Sequence, residues 1–242
     1  FVWKDLLTAL AEPKAWWLLG IVGLVSFFAA LFDFEALKQG KIAVVEPLLG
    51  MEVPVVVFLS VVFRGEYLSW YQFALIGLVL AGIILAITKH FGQWRYHRRL
   101  IEKGVLFAGL GAIGMGLTNF LIGVSSQDTL PLLTVWFAHT TIAVCSIILL
   151  LRQGQWRGLI AGIKKYPGAI IGETVFDNAA WISYAFATTL IPISIATAIS
   201  ESYIALAVFL GLFVNKEKIR RHQIAGIALA FVCAAKGYKL TL

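Results

Sequence analysis

The chain has 242 residues, of which 60% are hydrophobic and only 14% charged, against about a quarter charged in soluble domains. That composition excludes a soluble globular protein and predicts an all-α polytopic membrane protein. The net charge of +7 does not point to nucleic acid, because the basic residues cluster in short loops between apolar runs, where they set topology.

Residues Phe1 to Lys14 place Val2, Leu6, Leu7 and Leu10 at helical spacing beside Lys4 and Asp5 and end at Pro13, the pattern of a short interfacial helix. The chain opens on Phe1 without a signal peptide, so the natural N-terminus is expected to lie before it. Eight apolar runs follow, each approaching the roughly 20 residues that cross a bilayer. They are Trp16 to Phe32, Ile42 to Phe63, Trp70 to Thr88, Gly104 to Val124, Leu130 to Leu151, Gly168 to Ala187, Ile191 to Val214 and Gln223 to Tyr238.

The run from Ile42 stops at Arg64-Gly65-Glu66 and contains Glu46 and Glu52 near Pro47 and Pro54. A carboxylate at bilayer depth costs several kcal/mol unless it is paired, hydrated or protonated, so both acids are functional candidates. Each proline removes a helix donor, and the backbone there is expected to kink around a cavity rather than face lipid. In the fourth run Gly104, Ala108, Ala112 and Gly116 recur every four residues and offer a smooth face for a neighbouring helix, as do Gly77, Ala81 and Gly82 in the third. Cys145 and Cys233 lie singly in apolar runs and read as packing residues.

Basic residues are unevenly shared between the two sides. The loops at 34–41, 89–103, 152–167 and 215–222 hold fifteen of the twenty Lys and Arg, which predicts that this side is cytoplasmic and that the C-terminus faces outward.

The most informative run is Gly168 to Ala187. Glu173, Asp177, Trp181 and Tyr184 stand four, four and three residues apart, one stripe down one helix face, with Asn178 beside it. Two carboxylates one turn apart repel, so a shared proton or cation is expected; burial in hydrogen bonds to neighbouring helices is the structural alternative. In the next run Ser194, Thr197 and Glu201 form a second stripe flanked by Ser200 and Tyr203. Trp136, His139 and Thr140 put an aromatic, a titratable ring and a hydroxyl around one turn, although a membrane His often serves packing. Asn119 is a weaker candidate of the same kind.

Glu46, Glu52, Glu173, Asp177 and Glu201 thus place five acids at apparent membrane depth, with Lys and Arg confined to span ends. Such a cavity disfavours anions and favours a cationic or zwitterionic small molecule, or protons. Trp181, Tyr184, Trp136 and Tyr203 are suited to hold an ammonium group by cation–π contact. There is no phosphate loop, HExxH or GxSxG pattern, so neither an enzyme, a cofactor nor a metal is expected.

The chain also repeats. Displaced by 151 residues against itself, Ala36 meets Ala187, Phe58-Leu59 meets Phe209-Leu210, Glu66 meets Glu217, Gln72 meets Gln223 and Ala74 meets Ala225. Internal repeats of this kind mark many secondary transporters. With Ala36-Leu37-Lys38-x-Gly40, Pro47, Gly65-Glu66, Gln72 and the Gly77 to Gly82 helix, the chain resembles the drug/metabolite transporter superfamily in its EamA-type branch. It departs from the family pattern at Lys216, where Gly is favoured, and at Ala198, opposite Pro47 of the first copy.

The resemblance implies a ten-helix bundle of two inverted five-helix repeats, here lacking its first two helices. Residues 1–90 would be the partial first repeat, 91–103 an inter-repeat basic loop and 104–242 the second repeat. It also implies both termini in the cytoplasm, in conflict with the charge count. The expectation is a multi-pass protein of a bacterial plasma (inner) membrane that exports small amines, amino acids or related metabolites by alternating access, in a proton-coupled cycle. The alternatives are a membrane-embedded enzyme, a non-transporting assembly subunit or a channel.

Overall fold

The structure, a computed structural model, describes residues 13–39, 48–87, 103–203, 221–222, 224–226, 228–229 and 232–233. The proposed interfacial helix before Pro13, Glu46 and Pro47, the inter-repeat loop and most of the last span lie outside the described residues.

Among the described residues there is no strand, and eight helices have described bounds: α1 (Pro13–Gln39), α2 (Glu52–Arg64), α3 (Trp70–Ile87), α4 (Lys103–Asp128), α5 (Pro131–Arg152), α6 (Trp156–Lys165), α7 (Pro167–Leu190) and α8 (Ile193–Ser200). Proline opens α5 and α7, where its missing N–H is one no helix would use. Pro131 and Pro167 therefore mark starts that apolarity alone blurs. Helices α1, α4 from Gly104, and α5 are long and apolar enough to cross a membrane, and α3 carries a shorter apolar stretch over Trp70–Leu85.

Four sequence expectations change. The run from Ile42 is not one helix: a turn at Gly50-Met51, with the Met51 N–H donating to Leu48 O at 3.1 Å, precedes α2. Pro54 consequently sits in the first turn of α2 and starts a helix instead of kinking one. Helix α1 continues past Phe32 to Gln39, which carries Asp33 into the helix. The expected loop at 152–167 contains α6.

The fold divides into two compact units. One holds residues 1–28 and 121–190. In it α5 packs along α7, and hydroxyls tie the α4–α5 turn, with Ser125 Oγ 2.8 Å from Thr134 Oγ1. Gln127 Nε2 donates to Thr188 O at 2.7 Å. Gly23 allows α1 to approach Thr141, whose Oγ1 would lie 2.5 Å from an added Cβ.

The other unit holds residues 29–120 and 191–242. Helix α8 packs on α2 and α3, and Leu75, Val79, Ile83 and Cys233 form a buried cluster against Ile199 and Leu229. The small-residue face of α4 packs as the sequence predicts: Ala108 meets Ala36, both fully buried. At Gly116 an added Cβ would come within 2.7 Å of Val55 Cβ. Helix α2 ends as the Arg64-Gly65-Glu66 motif requires, Gly65 taking φ +63°, a conformation that a Cβ disfavours.

Candidate functional site

The acids of the second unit converge. Glu52 opens α2, where the helix dipole favours a carboxylate, and Glu201 follows the last turn of α8. Both are buried, at 8% and 7% exposure, and their carboxyl groups lie within hydrogen-bonding reach of one another. Asn119 of α4, also buried, donates from Nδ2 to Glu52 Oε2 at 3.4 Å. Asp33 of α1 stands near enough to Glu52 for its charge to act on it. Gly111 of α4 leaves room for the Asp33 carboxyl, since an added Cβ there would overlap it.

Two ionised carboxylates about 4 Å apart repel by roughly 4 kcal/mol at an effective dielectric constant of 20. A carboxyl–carboxyl hydrogen bond needs a proton on one partner. The arrangement therefore suits one proton, or a small cation, held between Glu52 and Glu201 with the Asn119 amide alongside.

The first unit carries a different group. His139 of α5 lies 2.9 Å through Nδ1 from Asn178 Oδ1 of α7. Because Asn178 Nδ2 donates to Thr174 O at 2.8 Å, its Oδ1 is the acceptor and His139 Nδ1 must carry the proton. Trp181 meets His139 edge-on at 6.2 Å and Tyr184 at 6.0 Å, so three rings form a row along α7. Tyr184 is buried.

The predicted stripe on α7 is real as a helical face but differs along its length. Trp181 and Tyr184 are sheltered, whereas Glu173 and Asp177 are exposed. Trp136 is 63% exposed and touches Phe137, while Tyr203 is 58% exposed. Neither joins the ring row around His139. In α8 the hydroxyls have other partners: Thr197 Oγ1 donates to Ile193 O at 2.9 Å and Ser194 Oγ to the Glu66 carboxylate Oε2 at 2.5 Å. Among the described residues no cluster of His, Cys, Asp and Glu fits a metal ion.

Asp33 was missed in sequence because the apolar run breaks at Phe32. Its helical spacing into Phe34-Glu35-Ala36 was the available signal. Asn119 had signalled only as a lone amide, and its Glu52 partner lies 67 positions away.

Sixteen chains of solved structure match the fold. One, described as "Crystal structure of protein", aligns with a TM-score of 0.68 at 18% identity, covering 97% of this chain and 79% of that one. At that identity the likeness speaks for the fold alone. No curated protein sequence matches the chain. The sequence model of the EamA-like transporter family matches residues 1–88 and 102–235. These two stretches span most of the chain and, with its apolar helices, make it an integral multi-pass membrane protein. The chain belongs to the EamA-like transporter family, and with it to the drug/metabolite transporter superfamily.

Proposed function

We propose that this transporter is a proton-coupled exporter of small cationic or zwitterionic metabolites, such as amines or amino acids, in a bacterial plasma membrane. The observation that carries the reading is the buried Glu52–Glu201 carboxyl pair with Asn119. A proton or an ammonium group satisfies this pair, whereas an anion would not. The placement of positive charge supports the same preference. Among the described residues of α1 to α5, every Lys and Arg stands within two residues of a helix end, and α7 and α8 carry none.

In this reading Glu52 and Glu201 bind the coupling proton or the substrate cation in alternation. Glu173 and Asp177 offer exposed carboxylates that attract the cation. Within the first unit, His139, oriented by Asn178 and flanked by the rings of Trp181 and Tyr184, is a separate group suited to a cation. Alternating access follows from rocking of the repeats about the site.

The test is flux of a panel of amines, amino acids and phosphorylated sugars in proteoliposomes under an imposed pH gradient. Glu52→Gln, Glu201→Gln, Glu173→Gln and Asp177→Asn are assayed beside the wild type. Uptake of a cationic compound driven by the gradient, lost in Glu52→Gln and Glu201→Gln, supports the reading. Flux restricted to anionic compounds, or gradient-driven flux that survives in both pair variants, overturns it.

A further inference from the structure

Helix α6 (Trp156–Lys165) follows α5, a span ending at Arg152, through a turn in which Gly154 takes φ +68°. None of its residues is buried. Trp156, Leu159, Ile160 and Ile163 stand at i, i+3, i+4 and i+7, a single apolar stripe that at about 100° per residue covers roughly a quarter to a third of the helix surface. All four side chains of the stripe are exposed, by 42% to 46%. A stripe so regular, with none of its side chains buried against the described residues, is built to be covered.

The flanks identify what covers it. Residues 152–172 contain Arg152, Arg157, Lys164 and Lys165 and no acid. On the wheel Arg157 and Lys164 fall side by side, along one edge of the apolar stripe. The Arg157 guanidinium lies over the Trp156 ring at 5.5 Å and the Lys165 ammonium over the Tyr166 ring at 5.0 Å. Trp and Tyr settle at the depth of the headgroups, and long basic side chains reach from there to phosphate. A short helix with one apolar stripe and purely positive flanks, tethered to the end of a spanning helix, has the features of a segment lying in the membrane plane.

We propose that α6 is an interfacial helix that binds anionic lipid: its stripe enters the acyl boundary, and Arg157, Lys164 and Lys165 hold lipid phosphates. The phosphate chemistry alone would also suit a free phosphate ester. The apolar stripe beside the charges is what commits the site to a lipid, since a soluble anion gains nothing from it. The same binding fixes this end of α5 and α7 at the more anionic leaflet, the side that the Lys and Arg bias assigns to the cytoplasm.

The experiment uses the full chain in nanodiscs, with Cys145 and Cys233 replaced by Ala and a single fluorophore placed by Ile160→Cys or by Ala161→Cys. Bromine-bearing lipids report depth. In discs rich in phosphatidylglycerol the label at position 160 is expected to be quenched and the label at 161 spared. Quenching at 160 should weaken as phosphatidylcholine replaces the anionic lipid and as salt rises. Neutralising Arg157, Lys164 and Lys165 to Gln should remove that dependence on lipid charge, by up to about fivefold in apparent lipid affinity for each residue changed. Exchange to R157K, K164R and K165R should keep it. Soluble glycerol phosphate at matching concentration should not displace the helix. Equal quenching at 160 and 161, no dependence on headgroup charge, or release by glycerol phosphate would each overturn the proposal. The depth pattern is read with the basic residues intact, so it stands even if the Gln variant does not fold.

Discussion

The contact of Glu66 with α8 gives the most direct quantitative prediction. Helix α8 begins at Ile193 after Pro192, and the Pro192 cap makes no side-chain hydrogen bond to its first turn. Glu66, well over a hundred residues earlier, takes that role. Its Oε1 accepts the Ile193 N–H at 2.6 Å, and its Oε2 accepts the Ser194 hydroxyl at 2.5 Å and the Ser194 N–H at 3.3 Å. Ile193 and Ser194 are fully buried, so no water replaces the carboxylate. Charge-assisted bonds of this kind contribute about 1.5–3 kcal/mol each, and an orphaned buried donor costs about 1–3 kcal/mol. Counting the two short bonds and discounting the long one, Glu66→Ala should destabilise the fold by about 3–6 kcal/mol. At roughly 2–4 °C per kcal/mol for a chain of this size, the expected loss in Tm is on the order of 6–24 °C. Glu66→Gln keeps one acceptor without the charge and should lose about half as much. The assay is thermal unfolding of detergent-purified protein followed by intrinsic fluorescence and by size-exclusion chromatography. If Glu66→Ala melts within 2 °C of wild type, taken as roughly the smallest shift worth about 1 kcal/mol, the carboxylate is not capping α8.

Two further substitutions probe the packing. Gly116→Ala would place a Cβ 2.7 Å from Val55 Cβ and 3.0 Å from Glu52 O, so α4 must shift against α2 and lose about 1–3 kcal/mol, whereas Gly109→Ala meets nothing within 4 Å and should be neutral or mildly stabilising. Comparing their melting temperatures checks this, and equal values would show that α4 does not approach α2 at Gly116. Gly65→Ala must hold φ +63° with a Cβ and should cost on the order of 1 kcal/mol, read in the same melt. Gly65→Asn, which tolerates that conformation better, should lose less.

The membrane class, the family and most helix positions were legible in the sequence because each rests on local information. Apolar length, small-residue spacing on α4 and the Arg64-Gly65-Glu66 stop depend on neighbours in the chain, and the structure keeps them. Basic residues at span ends followed in the same way. What sequence spacing obscured were interruptions inside continuous apolarity. Gly50-Met51 breaks the run from Ile42 without any change in hydropathy, and α6 was hidden because a ten-residue amphipathic helix falls below the length at which a span is drawn.

The candidate site was legible only in part, for the same reason. A stripe on one helix is a local pattern, so Trp181, Tyr184 and Asn178 could be grouped in advance. Their partner His139 is brought to them by the packing of α5 on α7. Glu173 and Asp177 lie one turn apart in sequence yet stay exposed, while Glu52 and Glu201, nearly 150 residues apart, meet in a buried pair with Asn119. The sequence by itself determined that the chain is a membrane protein of a transporter family, because residue type and periodicity decide how a segment partitions into lipid. Only the tertiary structure decided which acids face one another, because helix packing, not chain order, sets the distance between charges.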